Sequence, residues 1–146
     1  MTLAERGWVA GIIDGEGCIY LHPRHHSAST FHLRLKVAMT HKVTILALRK
    51  LTGGGAIQRV RRPGTKWKDS YVWDNSTQVA AAVLRQVLPF LRTKHRQAVL
   101  AISFAEDRAR VGGGGKGTAQ RKKAAASKRR QMTAYRHMRK LNRKGR

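Results

Sequence analysis

The sequence predicts a single α+β domain in which helices pack against one antiparallel β-sheet. Three observations favour this fold class. Segments with helical periodicity alternate with pairs of strand-like segments, in the order αββα followed by ββαα. The strand-like segments are bounded by turn-forming residues, and the clearest of them alternates apolar and polar side chains with a period of two. The chain has 146 residues, 41% of them hydrophobic, which suffices for a packed core.

Each predicted element is delimited by start and stop signals. Glycines follow the first two helices, Pro63-Gly64 separates the strands of the second hairpin, and Pro89 separates the last two helices. In the second strand, His32, Arg34 and Lys36 share one face. The opposite face of that strand carries Leu33, Leu35 and Val37. The predicted helices are 3–13, 41–51, 77–88 and 93–105, and the predicted strands are 18–24, 30–40, 56–62 and 70–74.

The charge balance identifies the class of partner. The chain carries 31 Lys and Arg against 7 Asp and Glu, a formal net charge of +24. Such a chain attracts polyanions through counterion release, so nucleic acid is the expected partner. No apolar window is long enough for a membrane span, and no signal-peptide pattern is present, which predicts an intracellular, non-secreted protein without a membrane partner. A single cysteine, Cys18, excludes an intrachain disulfide framework.

The basic residues are concentrated toward the C-terminus. Residues 1–110 are expected to form the compact domain, 111–117 a glycine-rich linker, and 118–146 a basic arm, because all seven acidic residues precede that arm. The arm has helical composition. Two interpretations of it stay open: a solvated tail, or a helix that docks through residues recurring every three positions. Those residues are Met132, Tyr135, Met138 and Leu141.

The first helix carries an unusual face of small residues that ends in acids. Gly7, Gly11 and Gly15 are spaced by four, and each interior helical glycine costs roughly 1 kcal/mol relative to alanine. That cost is tolerated where a second backbone approaches closely. Asp14 and Glu16 follow on the same segment, and carboxylates in so positive a field favour a hard divalent cation such as Mg²⁺. The alternative is a buried helix with a merely acidic end.

Residues 9–17, VAGIIDGEG, resemble the signature of the LAGLIDADG homing endonucleases. Val9 stands for the first Leu, Gly15 for the second Ala and Glu16 for the final Asp. The resemblance spans roughly residues 3–105, since αββαββα is also that family's order. It implies a saddle-shaped antiparallel sheet. Because one copy of the motif is present, it also implies a homodimer whose motif helices pack through Gly7, Gly11 and Gly15.

The resemblance also implies an activity: cleavage of double-stranded DNA at a long, pseudo-palindromic site by metal-assisted phosphodiester hydrolysis. Glu16 matches the acid that holds the metal, with the Gly15 carbonyl as a second ligand. The expected ion is Mg²⁺, with Mn²⁺ as another usable cation. Lys94 matches the family's active-site lysine, and His41 matches a polar residue that organises water.

Two further positions bear on that assignment. Asp14 matches an acid that is usually structural at the end of the motif helix. Ile45 departs from the pattern, because some members carry a basic residue nearby, and Lys42 is the candidate substitute. Among the aromatic residues, Trp8 and Trp73 are expected in the core.

The residues expected to contact DNA follow the outward parity of the strands, although Ile57 shares the parity of the two arginines in the third strand. A twisted antiparallel ribbon fits the major groove, and the alternative of an ordinary solvated face is disfavoured because few acids balance these strands. Lys66 and Lys68 are expected to contact phosphates. The residues expected to face the bases are Tyr20, His22, Arg24, His32, Arg34, Lys36, Arg59 and Arg61.

Other function classes compete with cleavage. The same scaffold would suit a non-cleaving DNA-binding regulator or an intron RNA maturase, with intron RNA as a partner of the basic arm. A basic ribosome-associated protein would explain the charge but not a glycine face ending in acids. The presence of both Glu16 and Lys94 favours cleavage.

Overall fold

The computed structural model describes residues 1–24, 27–64, 66–111 and 118–144, apart from the side chains of 24–29, 111–121 and 144. It confirms the predicted α+β class and the order of the elements. A 3₁₀ turn at Leu88–Phe90 replaces the last residue of the predicted third helix and contains Pro89. The elements are α1 (Leu3–Glu16), β1 (Gly17–Arg24), β2 (Ser27–Met39), α2 (Lys42–Thr52), β3 (Ala56–Val60), β4 (Ser70–Ser76), α3 (Thr77–Val87), α4 (His95–Val111) and α5 (Thr118–Lys144).

The four strands form one antiparallel sheet in the order β1-β2-β4-β3. The helices cover one face of this sheet. The alternate residues Leu33, Leu35 and Val37 of β2 lie on that face and are fully buried. Trp73 lies in the same core, as predicted, and its indole Nε1 donates to the Gly54 carbonyl at 2.9 Å. On the opposite face, His32, Arg34 and Lys36 of β2 are partly exposed. No helix within the described ranges is long and apolar enough to cross a bilayer.

Helix α1 extends beyond its predicted end. Thr2 and Glu5 form a capping box at its start. The helix passes through Gly15 and ends at Gly17, whose backbone is extended. A Cβ at Gly17 would lie 2.5 Å from the Ile13 carbonyl oxygen, so only glycine allows this exit. Glu16 is therefore the last residue of the helix rather than part of a following loop.

Helix α5 packs against the sheet and α4, as the docking-stripe interpretation predicts. Met138 is buried in the main core, and the Tyr135 ring stacks on Phe31 with centroids 4.5 Å apart. Asn142 donates a hydrogen bond to the Ile19 carbonyl of the edge strand β1 at 3.0 Å. Helix α4 runs past its predicted end, and its Asp107 accepts hydrogen bonds from α5. The donors are Ser127 and Arg130, each at 2.7 Å.

Candidate nucleic-acid interface and acidic cleft

The face of the sheet opposite the helices is basic along β1 and β2. The register pairs Tyr20 with Arg34 and His22 with His32, so these four side chains share one face. Lys36 follows on the same face, opposite Cys18. All of these side chains are partly or fully exposed. The predicted parity of both strands is confirmed, except that the side chain of Arg24 lies outside the described residues.

The predicted parity of the third strand is wrong. Ile57 pairs with the buried Trp73, and Arg59 pairs with Tyr71, so Arg59 projects from the helix-covered side. Its guanidinium forms an ion pair with Asp69 at 2.6 Å. The outward positions of β3 are occupied by Ala56, Gln58 and Val60 instead. Only Ile57 of this short strand is half-buried, and the other four residues are exposed. Burial therefore imposes too weak an apolar pattern on the sequence to show which face is covered.

Three other predicted DNA contacts lie in or beside the hairpin that joins β3 to β4. Arg61 follows the last residue of β3, so it is not part of the strand. Lys66 and Lys68 are exposed. Lys68 lines a groove together with Trp67, which is 74% exposed. These residues form a basic flank beside the sheet rather than part of its ladder.

An acid lies within the basic face. Asp74 of β4 pairs with Lys36 of β2, and its carboxylate forms ion pairs with Lys36 at 3.2 Å and with Arg34. Hydrogen bonding to Asp74 raises the pKa of Arg34. Partial burial alone would lower the pKa of Lys36, but hydrogen bonds with Tyr20 and Asp74 outweigh it and raise that pKa. Asp74 therefore favours the charged form of both side chains.

Glu16 lies in an open cleft at one end of this face. The cleft has a volume of about 370 Å³, and His41 and Arg62 line it with Glu16. Ala38 and Ser70, also in the lining, lie on the same face of the sheet as the outward residues Lys36 and Asp74. The cleft thus opens beside the basic face. The structure brings the predicted residues Glu16 and His41 together, and His41 Nδ1 lies 2.7 Å from the Thr44 hydroxyl.

Lys94 is held at the C-terminal end of α1 but does not line this cleft. Its ammonium group donates to the Asp14 carbonyl, and its backbone N–H donates to the Asp14 carboxylate at 2.9 Å. The N–H of Arg92 donates to the same carboxylate at 2.6 Å. Partial burial alone would raise the pKa of Asp14, but these backbone hydrogen bonds outweigh it and lower that pKa. Asp14 thus joins α1 to the start of α4, in agreement with its predicted structural role.

Asp14→Asn is expected to destabilise the fold by about 1–2 kcal/mol, because an amide cannot accept both backbone N–H groups as a carboxylate does. The pKa of Asp14 is lowered from 3.8, so its contribution is complete above that value and is lost as the pH falls through the lowered pKa. Urea unfolding of both proteins, from neutral pH down to about pH 2, measures this. The difference in stability should shrink at the acidic end. Equal stabilities at neutral pH would contradict the assignment.

Arg62 is the site residue that sequence reasoning missed. It follows β3 in a segment with no motif, and only the pairing of β3 with β4 brings it beside Glu16. Ile45 is fully buried, so no cation could replace it without loss of core packing. Lys42, the candidate substitute, lies with its ammonium group 5.8 Å from the centre of the Tyr71 ring. Arg62 is therefore the better candidate for the basic group of this cleft.

Helix α1 leaves an apolar face uncovered. Leu3 is 74% exposed and Trp8 is 40% exposed, which corrects the expectation that Trp8 lies in the core. On the same helix a Cβ added at Gly7, Gly11 or Gly15 would meet nothing within 4 Å. These glycines are therefore not required by packing within one chain. The exposed surface of α1 thus combines these glycines with the partly exposed side chain of Trp8.

One chain supplies an incomplete metal site. Glu16 and the Gly15 carbonyl offer oxygen ligands, which suit Mg²⁺. Among the residues described by the structure, however, no cluster of three or more Asp, Glu, His or Cys side chains could hold a metal ion. The residues present fit the ion only if further oxygens come from outside the chain.

Comparison with known proteins identifies the fold. No protein-family model and no curated protein matches the sequence. The archaeal intron-encoded homing endonuclease I-Vdi141I, solved with DNA, matches with a TM-score of 0.66 at 16% identity over 94% of this chain and 84% of that one. The homing endonuclease I-CvuI, in complex with a DNA target, gives 0.59 at 18% identity over 85% and 94%. The homing endonuclease I-TnaI gives 0.57 at 17% identity over 97% of each chain. The chain therefore has the LAGLIDADG homing-endonuclease fold.

Proposed function

We propose that this chain is a site-specific endonuclease of double-stranded DNA that acts as a homodimer with Mg²⁺. The observation that carries the proposal is the position of the Glu16 cleft. It opens beside a basic sheet face whose side chains suit the major groove, and Glu16 ends a helix with an uncovered apolar face. A duplex on the basic face would bring its phosphates to the cleft.

The neighbours in structure support the choice of substrate and ion. I-CvuI has been solved with one DNA target in the presence of 2 mM Ca and with another in the presence of 2 mM Mg, the latter DNA not cleaved. I-Vdi141I has likewise been solved with DNA. By extension, a DNA duplex and a divalent cation are the ligands proposed for this chain.

The proposed homodimer is supported by the shortage of metal ligands among the described residues of one chain. Two copies packed through Gly7, Gly11 and Gly15 would cover Trp8 and bring two Glu16 carboxylates together at the symmetry axis. The basic faces of the two sheets would then form one continuous surface. Its two-fold symmetry favours a pseudo-palindromic target.

Different residues of the chain would have different roles in phosphodiester hydrolysis. Glu16 and the Gly15 carbonyl would hold Mg²⁺. When bound, Mg²⁺ would lower the pKa of an attacking water and neutralise charge on the leaving oxygen. His41, whose Nδ1 contacts Thr44, would hold a water through its other ring nitrogen. Its ring orientation is set by that contact with Thr44.

Two cations would stabilise the negative charge that builds up on the phosphate. Lys94 does not line the cleft, but its ammonium group donates to the Asp14 carbonyl at the end of α1, two residues before Glu16. Arg62, which follows β3, lines the cleft together with Glu16. Arginine suits this role because its planar group can bind two phosphate oxygens at once.

The experiment that tests the proposal is selection from a randomised DNA library. Purified protein is incubated with plasmids carrying random inserts in Mg²⁺, and linearised products are sequenced. The proposal predicts cutting of both strands at one long, near-palindromic sequence. Enrichment of bound but uncut DNA would instead indicate a regulator, and no enrichment would refute sequence-specific DNA recognition.

Arg62→Ala is expected to lower the rate of cleavage of the selected duplex by about 100-fold at saturating protein, because a positioned charge contributes most in the transition state. Arg61→Ala is the control, since it removes the same charge from the neighbouring residue, which does not line the cleft. Single-turnover kinetics separate the rate from the affinity. Equal rates for the two variants would contradict the role of Arg62.

A second candidate function, binding of structured RNA, is favoured by the outer surface of α5. This helix packs on the helix-covered side of the sheet, so its exposed cations lie apart from the DNA-facing side. Such a surface suits sequence-independent contact with phosphates. Binding of an RNA hairpin in the presence of saturating target DNA would support it, and simple competition would contradict it. The exposed cations include Lys122, Lys123, Lys128, Arg129, Arg136, Arg139, Lys140 and Arg143.

A further inference from the structure

Asp74 is an unusual residue for a surface that binds a polyanion. It projects from the basic face between Arg34 and Lys36, and only 5% of its side chain is exposed. One carboxylate oxygen, Oδ2, contacts both cations. The other oxygen, Oδ1, is buried, and no donor among the described residues reaches it. Among the described residues, the carboxylate thus contacts only the side chains of Arg34 and Lys36.

Neither stability nor affinity explains this arrangement. A buried ion pair often contributes little net stability, because removing charges from water offsets their attraction, and Oδ1 bears that loss without a hydrogen bond. A negative charge between two phosphate-seeking cations also weakens attraction to nucleic acid. What the contact does provide is a fixed position for the Arg34 side chain, which is 36% exposed.

A fixed guanidinium can distinguish bases. Arginine has five N–H donors in a planar fork, and it reads guanine when two of them meet O6 and N7 in the major groove. Asp74 engages Arg34 through one terminal nitrogen. That anchor restrains the guanidinium and leaves its other N–H donors available. An unanchored arginine on the same surface would swing to the nearest phosphate and carry no sequence information.

We propose that Asp74 is a specificity-determining positioning residue, which holds Arg34 toward a base edge so that Arg34 reads a guanine in each half of the target. The inference rests on the proposed function and adds to it the base that is read and the acid that makes this reading possible. It predicts that removing the acid raises general affinity for DNA while discrimination at one position falls.

The test compares Asp74→Asn with Asp69→Asn in the full chain. The control makes the same change in an acid that pairs with Arg59, an arginine outside the outward face. Binding is measured at one salt concentration for random duplex, for the selected target, and for targets in which each guanine is replaced in turn. Both variants should bind random duplex more tightly than the wild type does. Only Asp74→Asn should lose about tenfold in discrimination, and at a single guanine per half-site.

Arg34→Lys provides the second variant, because it keeps the charge and the acid but removes the planar fork. It should lose discrimination at the same guanine, and the double variant should lose no more than either single one. Undiminished discrimination in Asp74→Asn or in Arg34→Lys would overturn the inference while the proposed function stands. A wild type that prefers no sequence would overturn both.

Discussion

Glu16→Gln is expected to reduce Mg²⁺-dependent DNA cleavage by at least about 1000-fold, because it removes the carboxylate proposed to hold the ion. Binding of the selected duplex in Ca²⁺ or without a cation should remain, since Glu16 lies at the end of the basic face rather than within it. Cleavage is measured as a single-turnover rate and binding by fluorescence anisotropy. A loss of cleavage without a loss of DNA binding would assign Glu16 to the chemical step.

Glu106→Gln is the control for this change. Glu106 is an exposed acid that pairs with Arg85 at 3.2 Å, and surface ion pairs of this kind contribute little to stability. The control should cleave like the wild type. Cleavage by Glu16→Gln at the wild-type rate would show that the metal is held elsewhere, or that no metal at Glu16 takes part.

Gly11→Leu is expected to convert the protein to a monomer and to abolish cleavage of both strands. A Cβ at Gly11 meets nothing within 4 Å in the single chain, so the protomer should accommodate the new side chain. Leucine also favours the helix by up to about 1 kcal/mol over glycine. The fold of the protomer should therefore be at least as stable as in the wild type. The leucine side chain should at the same time prevent the close approach of a second α1 helix.

Sedimentation equilibrium and thermal unfolding measure these two effects separately. Ala82→Leu is the control, because it places the same side chain at an exposed position of α3. It should leave both the dimer and the cleavage rate intact. A Gly11→Leu protein that remains dimeric would place the dimer interface on another surface.

The sequence allowed most of the fold to be predicted where burial imposes a strong pattern. The period-two alternation of β2 identified its core face correctly, because Leu33, Leu35 and Val37 are all fully buried. In β3 a single half-buried residue, Ile57, could not establish the parity, and Arg59 was assigned to the wrong face. Hydrophobicity alone predicts a core position for Trp8, because it does not distinguish a buried apolar residue from an exposed one.

The candidate site was predictable only where the local sequence resembles a family motif. Glu16 belongs to a recognisable motif, and Lys94 and His41 follow from the same resemblance. Arg62 and Asp74 reach their positions through pairing of β4 with β3 and β2, a long-range register that no local pattern encodes. Residues brought to a site by strand pairing therefore require the structure.

The measurement that tests the central claim most directly is the anomalous scattering of Mn²⁺ in crystals of the protein bound to its selected duplex. The proposed homodimer predicts peaks beside the Glu16 carboxylates of both protomers, each next to a phosphate of the DNA. Crystals of Glu16→Gln with the same duplex should lose those peaks. Peaks at other residues, or protomers that approach through a surface other than α1, would contradict the account.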